Sequence, residues 1–222
     1  VEPLGRMEMV LPRPEALRSV RFDGPKAYAV TFERIDPLFT IDLSDPRLPV
    51  QRGDLEIPGW LYHMEPRGSR MLAIGFDTTP TGGNALAVSL FDVSDLDRPA
   101  MLDRVIFGGE WGWLPEDQDR IHKAFAILPE SSLVLMPFSG WSRDGDGWYA
   151  SFHSGVQIIN WQADGLALRG VAPHKGSARR AFLHGERLFA TSDERIETFD
   201  IADRDNPIRT ASLVLARNVY RV

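Results

Sequence analysis

Hydrophobic residues in this chain fall into short segments of about six to eight residues, separated by Gly, Pro, Asp and Asn. Such segments predict β-strands joined by tight turns. No segment keeps an apolar spacing of about 3.6 residues, so little helix is expected. Four of the predicted strands are "AYAVTF", "RMLAIGF", "SLVLMPF" and "RLFATS".

One ten-residue pattern follows three of these strands, as "TIDLSDPRLP", "LFDVSDLDRP" and "TFDIADRDNP". The aspartates are expected to brace turns rather than to catalyse, because Asp and Ser side chains readily bond nearby backbone amides. The final proline fixes φ and begins an outer strand, whose free edge loses nothing when an N–H is missing. The central aspartates are Asp42, Asp92 and Asp200.

The spacing of this pattern predicts the architecture. The central aspartates are 50 and 108 residues apart, so a fourth copy is expected in the longer interval. The segment "VQIINWQADG" supplies it, with Asn160 at the Asp position and Gly165 at the Pro position. Repeats of about 40 to 50 residues are typical of propeller blades.

Each repeat predicts one four-stranded antiparallel sheet, and such sheets stacked around an axis form a β-propeller. The predicted fold is therefore an all-β β-propeller domain or partial propeller over residues 1–222. Its four complete blades are expected at approximately 17–58, 59–108, 120–175 and 178–216.

The two ends of the chain predict additional, unpaired strands. Residues 3–12 align without a gap on residues 49–58, so they are expected to be the outer strand of a preceding blade. The closing "ARNVYRV" has the pattern of a following first strand. The chain is therefore predicted to be about half of a larger propeller, completed by further sequence or by a second chain, because an open stack leaves an apolar blade face bare.

Several segments resemble a known family, the secreted bacterial and archaeal proteins with a C-terminal β-propeller domain, which are distant relatives of WD40 propellers. The likeness covers most of residues 17–216. It implies an extracellular, periplasmic or cell-surface location and no established chemistry. The insert "SGWSRDGDGWYASFHSG" departs from the family pattern. The segments that carry the resemblance are "DPLFTIDLSDP", "LEIPGW", "SLFDVSD", "HKAF" and "LFATSDERIETFDI".

The amino-acid composition limits the classes of partner and of site that the chain can have. The 222 residues are 43% hydrophobic, enough for a core, and carry a net charge of −6. That charge argues against a nucleic-acid partner, which needs a basic surface.

The absence of cysteine excludes disulfides and zinc-thiolate sites. No apolar stretch reaches the roughly 20 residues of a membrane span. The opening "VEPLGRMEMV" lacks both the apolar core of a signal peptide and an initiator Met, which favours a mature or trimmed piece of a longer precursor.

Four tryptophans are the first candidate ligand-binding residues. Trp111 and Trp113 lie in the Gly-rich connection "FGGEWGWLPEDQD", and Trp141 and Trp148 lie in the long insert. Aromatic side chains in loops offer flat faces to sugar rings or to a partner protein. The alternative is that they fold back and cover the blade ends.

Two histidines and a lysine are the remaining candidates for ligand binding. His63 and His122 occupy equivalent places near the first strands of blades two and three, and inner strands line a propeller channel. With Lys123 and Glu65 they are expected to form a polar cluster at the channel mouth. The alternative is that each histidine braces its blade through backbone carbonyls.

A single metal site is suggested by the sequence. Asp144 and Asp146 alternate with glycine in "SRDGDGW", and alternating aspartates are how a loop wraps Ca²⁺. Further ligands and a late Glu are missing, so a solvated hairpin tip is the alternative. No other cofactor is predicted.

The sequence contains no nucleophile elbow, no P-loop and no G-x-G-x-x-G after a strand. We therefore predict a non-enzymatic binding or scaffold propeller that recognises a protein or carbohydrate through the long loops of blades two and three. One alternative is a carbohydrate hydrolase with carboxylates at the channel mouth, for which two carboxylates about 5 to 10 Å apart in an open pocket are needed. Another is a purely structural module that completes a ring with a second chain.

Overall fold

The computed structural model describes residues 2–11, 16–32, 36–79, 82–116, 120–143 and 150–215. Over these residues the chain forms strands, with two 3-10 turns, Ile121–Lys123 and Pro129–Ser131, as its helical elements. The all-β prediction is therefore confirmed. The strands are β1 (Ala16–Asp23), β2 (Lys26–Phe32), β3 (Asp36–Asp42), β4 (Val50–Ile57), β5 (Trp60–Arg67), β6 (Arg70–Thr78), β7 (Asn84–Asp92), β8 (Ala100–Phe107), β9 (Trp111–Trp113), β10 (Ala126–Leu128), β11 (Leu133–Arg143), β12 (Ala150–Gln162), β13 (Gly165–Pro173), β14 (Ala178–His184), β15 (Arg187–Ser192), β16 (Arg195–Asp200) and β17 (Ile208–Val214).

The strands pair in chain order as four sets of four, β1–β4, β5–β8, β10–β13 and β14–β17, which we call blades one to four. Strand β9 is an additional element that pairs antiparallel with β11. A single parallel bridge, from Asn84 to Trp111, also joins β9 to β7. Pairing between strands adjacent in sequence is what short turns between β-segments favour.

The chain divides into two compact units. The first comprises Val1–Asp77, Ala87–Arg104 and Ala163–Gly165, and the second comprises Thr78–Leu86, Val105–Gln162 and Leu166–Val222. Each unit has its own close-packed core of aliphatic and aromatic side chains. The core of the first unit contains Tyr28, Val30, Leu38, Ile57, Leu61, Met64, Met71, Ala73, Phe91 and Val93. The core of the second unit contains Leu133, Leu135, Val156, Ile158, Ala172, Ala181, Leu188, Ala190, Phe199 and Ile201.

The repeated aspartates brace the loops that join third to fourth strands. In blade two, Asp92 Oδ1 accepts the amide of Ser94 at 2.8 Å, and Asp95 Oδ1 accepts the amide of Asp97 at 2.9 Å. The bond from Ser94 holds the pKa of Asp92 below its usual range. This geometry agrees with the predicted bracing role, and it makes each loop rigid. The same bonds recur in blade one at Asp42 and Asp45 and in blade four at Asp200 and Asp203.

The fourth copy of the pattern differs from the other three. Strand β12 continues through Asn160 to Gln162, and β13 begins at Gly165, so the connection is a short turn rather than a braced loop. Asn160 Oδ1 instead accepts a hydrogen bond of 2.8 Å from Arg204 Nη1. The fourth copy of the pattern therefore matches the other three in its strand, β12, but not in the loop that follows the strand.

Glycines on outer strands dock onto the braced loops of the next blade. The amide of Gly53 in β4 donates to Leu96 O at 2.9 Å, and a Cβ at this position would lie 2.6 Å from the same oxygen. The neighbouring Arg52 makes a bidentate ion pair with Asp97, at 2.8 and 2.6 Å. Only glycine lets the two backbones approach this closely.

The second unit repeats this contact. The amide of Gly170 in β13 donates to Arg204 O at 2.9 Å, and a Cβ there would meet Pro207 Cδ at 2.7 Å. Arg169 pairs with Asp205 at 2.6 Å. A docking glycine followed by an Asp-braced loop is therefore the recurrent contact between neighbouring blades within each unit.

The first residues of the chain occupy the position of such an outer strand but are not paired as one. Residues 2–11 do not form a β-strand, because they do not pair with any described strand through backbone hydrogen bonds. Gly5 lies against the backbone of Pro46 and Arg47 as Gly53 lies against its own loop. By this contact Gly5 resembles Gly53, whereas the ungapped alignment places it on Gln51. The assignment of residues 3–12 to a preceding blade stays a prediction.

Side chains of this segment cover the free face of blade one. Met7, Met9 and Leu11 pack on the buried cluster of Ala27, Ala29, Phe39 and Ile41. Gln51 fixes the segment, because its amide exchanges two hydrogen bonds with the backbone of Val10. The predicted strand in "ARNVYRV" lies outside the described residues.

The docking glycine gives a direct test. Replacing Gly53 with Ala forces a methyl group against the backbone of Leu96 and Asp97, neither of which is a flexible side-chain end, so the free energy of unfolding should fall by ~1–3 kcal/mol. Gly165→Ala is the matched control, because its Cβ would meet Asp103 Oδ2 at an ordinary 3.5 Å. Urea denaturation of both variants measures the difference. Equal stability of the two variants would show that the docking contact is not tight.

Candidate ligand-binding site

Three of the candidate tryptophans come together on one strand surface. Trp111 pairs with Trp141 across β9 and β11, and Trp141 pairs with Phe152 across β11 and β12. Residues directly opposite in an antiparallel pair point to the same face, and so do residues two apart on one strand. Trp111, Trp113, Trp141 and Phe152 therefore share one side of the three strands, which we call the aromatic face.

Glycines on the opposite side explain why the aromatic rings point outward. Gly112 and Gly140 alternate with the tryptophans, and each lies too close to a neighbour to carry a side chain. A Cβ on Gly112 would lie 2.8 Å from Leu86 Cγ, and one on Gly140 would collide with Gly108 O. The alternation of Gly and Trp thus places small residues inward and large ones outward.

The aromatic face is open to solvent. Trp113, Trp141 and Phe152 are 37%, 40% and 42% exposed. The ring of Phe152 lies 5.9 Å from that of Trp113 and 5.3 Å from that of Trp141, so the three rings form a continuous apolar surface. Single exposed aromatics are ordinary, whereas a contiguous apolar group on paired strands is a candidate interaction surface.

A cleft of about 530 Å³ adjoins this face, and Phe152 lines both. Its volume lies within the range of small-molecule sites, about 300 to 1,000 Å³. The lining side chains include two histidines, one cation and one carboxylate. The residues of the cleft are Phe152, His153, Ser154, Pro173, His174, Lys175, Gly176 and Glu194.

His174 is the most unusual polar group of the cleft. Both of its ring nitrogens are buried and have no hydrogen-bond partner among the described residues. Burial lowers the pKa of the ring, although the nearby backbone of Lys175, which does not meet hydrogen-bond geometry, and the charges of Glu197 and Asp193 act in the opposite direction. The neutral imidazole is therefore favoured near pH 7, with one donor and one acceptor.

The loop that carries His174 is fixed at both ends. The His174 amide donates to Ser154 O at 3.1 Å, and the Ser177 amide donates to Asp193 Oδ1 at 2.7 Å. Farther along, the Ala178 amide donates to Ser154 Oγ at 3.0 Å. The wall of the cleft is thus held in place by its own backbone bonds.

His63 lies in a different environment from the one predicted for a ligand contact. It is 2% exposed, its Nδ1 is 2.8 Å from Arg21 Nη2, and its Nε2 is 3.4 Å from Glu65 Oε2. Because arginine can only donate, Nδ1 accepts and the ring proton sits on Nε2. The bond from His63 is the main reason that the pKa of Glu65 is lowered. This chain of contacts links β1 to β5 and favours the bracing interpretation of His63.

His122 and Lys123 lie on the 3-10 turn before β10, with both side chains exposed. The turn is anchored by Ile121, which is completely buried. These two residues belong to the second unit, whereas His63 belongs to the first.

Three of the predicted residues, Asp144, Asp146 and Trp148, lie outside the described residues. The candidate Ca²⁺ site therefore stays a prediction. Within the described part of the chain no three His, Asp or Glu side chains are grouped so as to hold a metal ion.

Phe152 and His174 are the site residues that sequence reasoning missed. Phe152 could have been found by counting outward from the Asp146–Gly147 dipeptide, a typical hairpin turn, which sets Trp141 opposite Phe152. His174 gave no signal, because its burial depends on loops that are distant in sequence.

Residues 1–204 match the family model of the β-propeller domain, and the chain belongs to that family. The fold supports a binding or scaffold module in general terms. Two curated relatives are uncharacterised archaeal proteins. That of Archaeoglobus fulgidus is 29% identical over 84% of this chain, and that of Methanocaldococcus jannaschii is 39% identical over 57%. The matched regions make up 26% and 19% of those proteins, so the chain spans about a quarter or less of either.

Among solved structures, the periplasmic gluconolactonase of Pseudomonas aeruginosa is similar over 89% of this chain and 56% of its own, at 10% identity and a TM-score of 0.49. At that similarity its activity has no bearing on this chain. None of the helical turns in the described part of the chain is long and apolar enough to span a membrane.

The buried ring of His174 predicts a pH dependence of stability. In the unfolded chain histidine binds a proton near pH 6.5, whereas the folded protein resists protonation of this ring. The unfolded state therefore binds more protons below about pH 6.5, and the free energy of unfolding should fall as the pH drops from 7.5 to 5.

His174→Asn should flatten this slope, and His184→Asn, at an exposed histidine of β14, should retain it. Chemical denaturation at several pH values measures both. A slope that is the same in wild type and His174→Asn would contradict the burial of the ring.

Proposed function

We propose that this chain is a non-enzymatic binding module that holds a protein or carbohydrate partner on its aromatic face. The observation that carries the proposal is the exposure of Trp113, Trp141 and Phe152 side by side on paired strands. Aromatic side chains bring large contact areas with few rotatable bonds, so they contribute much of the affinity at interfaces and sugar sites.

Rigidity of the supporting strands strengthens this proposal. Trp141 and Phe152 lie within a ladder that pairs β11 and β12 continuously from Leu133 to Arg143. Side chains on such a frame keep their positions before a partner arrives, so little conformational entropy is lost on binding.

The hydrolase alternative receives less support from the same region. The lining of the cleft contains one carboxylate, Glu194, whereas hydrolysis by the usual glycosidase chemistry needs a pair. The hydrolase alternative therefore stays a prediction.

The wider context of the module is also part of the proposal. The family resemblance implies an extracellular, periplasmic or cell-surface location, and the partner would then be met outside the cytoplasm. The matched relatives are several times longer than this chain. The proposal therefore concerns this module and not the activity of a whole protein of that length.

Removing the aromatic face tests the proposal. The double variant Trp113→Ala, Trp141→Ala should bind at least about tenfold more weakly than wild type, because it loses two exposed rings of the contact surface. The probes are a glycan array and a peptide-display library, with affinities of the selected ligands measured by fluorescence titration.

Phe22→Ala is the control, because Phe22 is a 74% exposed aromatic residue of β1, away from the aromatic face in sequence and in strand pairing. Its affinities should equal those of wild type. Ligands that bind the double variant as tightly as wild type would refute the proposal, and so would the absence of any binder from both libraries.

A further inference from the structure

We propose that the cleft beside the aromatic face binds a sugar unit of a neutral carbohydrate, with His174 as the residue that hydrogen-bonds its hydroxyl groups. The inference rests on the proposed function and deepens it, since it names the class of ligand that reaches from the face into the cleft.

The unpaired nitrogens of His174 carry the inference. Both are buried with no partner among the described residues, and a buried polar group without a partner is unfavourable. A hydroxyl group both donates and accepts, so two neighbouring hydroxyls of a sugar can satisfy the N–H and the free nitrogen of a neutral imidazole together. Burial keeps the ring in that neutral form, because it lowers its pKa.

Charge favours a neutral ligand. The lining holds Lys175 and Glu194, one positive and one negative side chain, and no arginine. Sites for phosphate or other anions use bidentate arginines or clustered backbone amides. The chain as a whole carries −6, which would repel a polyanion.

Shape favours a sugar over a peptide. The ring of Phe152 lies at the boundary of cleft and face, where the apolar side of a pyranose can pack on it. A peptide bound as an added strand would need free backbone groups at a sheet edge. Ser154 O, on the β12 segment that lines the cleft, is used already, because it accepts the His174 amide.

The cleft is also built before a ligand arrives. Gly176 has a left-handed φ of +81°, and a Cβ there would meet Glu194 Cγ at 2.9 Å, so the loop can pack this closely on Glu194 only with glycine. With Ser177 bonded to Asp193, the loop presents His174 without reorganisation.

Binding of defined oligosaccharides tests the inference. Isothermal titration of the whole chain with cellohexaose, maltohexaose and N-acetylchitohexaose, and with dextran sulfate as a polyanion, should show binding of at least one neutral hexasaccharide. His174→Phe keeps a flat ring but removes both nitrogens, and it should weaken that binding about tenfold or more. His174→Gln, which retains a donor and an acceptor, should recover part of the loss.

His184→Phe is the matched control, because it makes the same change at an exposed histidine of β14, and it should bind as wild type does. A second readout needs no variant. In long-range ¹⁵N–¹H spectra of the wild-type chain, the ring nitrogens of His174 should shift on addition of the sugar and those of His184 should not.

The outcomes separate this inference from the proposed function. If Trp141→Ala loses sugar binding while His174→Phe retains it and the His174 resonances do not move, the cleft is not a subsite but the aromatic face still binds. If no hexasaccharide binds, or only dextran sulfate does, the neutral-sugar inference is overturned, and the peptide-display arm then decides on the aromatic face alone. Loss of binding in both variants, with a His174 shift, supports both.

Discussion

The approach of an outer-strand glycine to the braced loop of the next blade is the contact on which the rest of each unit depends. Gly53 and Gly170 donate their amides to carbonyls of such loops at 2.9 Å, and neither position has room for a Cβ. The contact is backbone to backbone, so it fixes the distance between sheets independently of side-chain rotamers. Aspartates that bond amides two residues ahead keep the receiving loop in shape. Adjacent sheets held in this way can bury a continuous apolar core between them.

The aromatic face arises from the same use of glycine. Gly112 and Gly140 let the inner side of β9 and β11 lie against neighbouring backbone, which leaves the tryptophans on the outer side. A hydrophobic surface of this kind is unfavourable in water unless something covers it, and the chain does not cover it with its own described residues. By contrast, blade one covers its free face with Met7, Met9 and Leu11. Exposed hydrophobic side chains occur elsewhere too, among them Phe22, Phe182 and Leu213, but on the aromatic face Phe152 packs against both Trp113 and Trp141.

Polar groups divide into those that stabilise the fold and those left available for a ligand. His63 has partners at both nitrogens, Arg21 and Glu65, and it joins two strands. His174 lies in a loop held by backbone hydrogen bonds, yet neither ring nitrogen has a hydrogen-bond partner among the described residues. The two histidines therefore have opposite significance, and the hydrogen bonds of their ring nitrogens distinguish them.

The sequence by itself determined the strands, the braced turns and the four-blade repeat, because each depends on residues within about ten positions of one another. It also singled out Trp111, Trp113, Trp141 and Trp148 as ligand-binding candidates in two loops, and their role in binding stays a prediction. Trp148 lies outside the described residues, and the other three are the ones that the structure describes. The structure puts them in strands, since the long insert extends β11 and β12 beyond the blade. Local pattern alone could not show that β9 would pair with this extension.

Only the tertiary structure decided which side chains meet. The register of β11 with β12 set Phe152 beside Trp141, and packing set Gly5 against the backbone of Pro46 and Arg47. The loop that carries His174 is held by Ser154 and Asp193, which lie about 20 residues away on either side in the chain. These contacts join residues that are far apart in the chain, so the sequence contains no local signal for them. The same residues in the same order are also compatible with other strand registers.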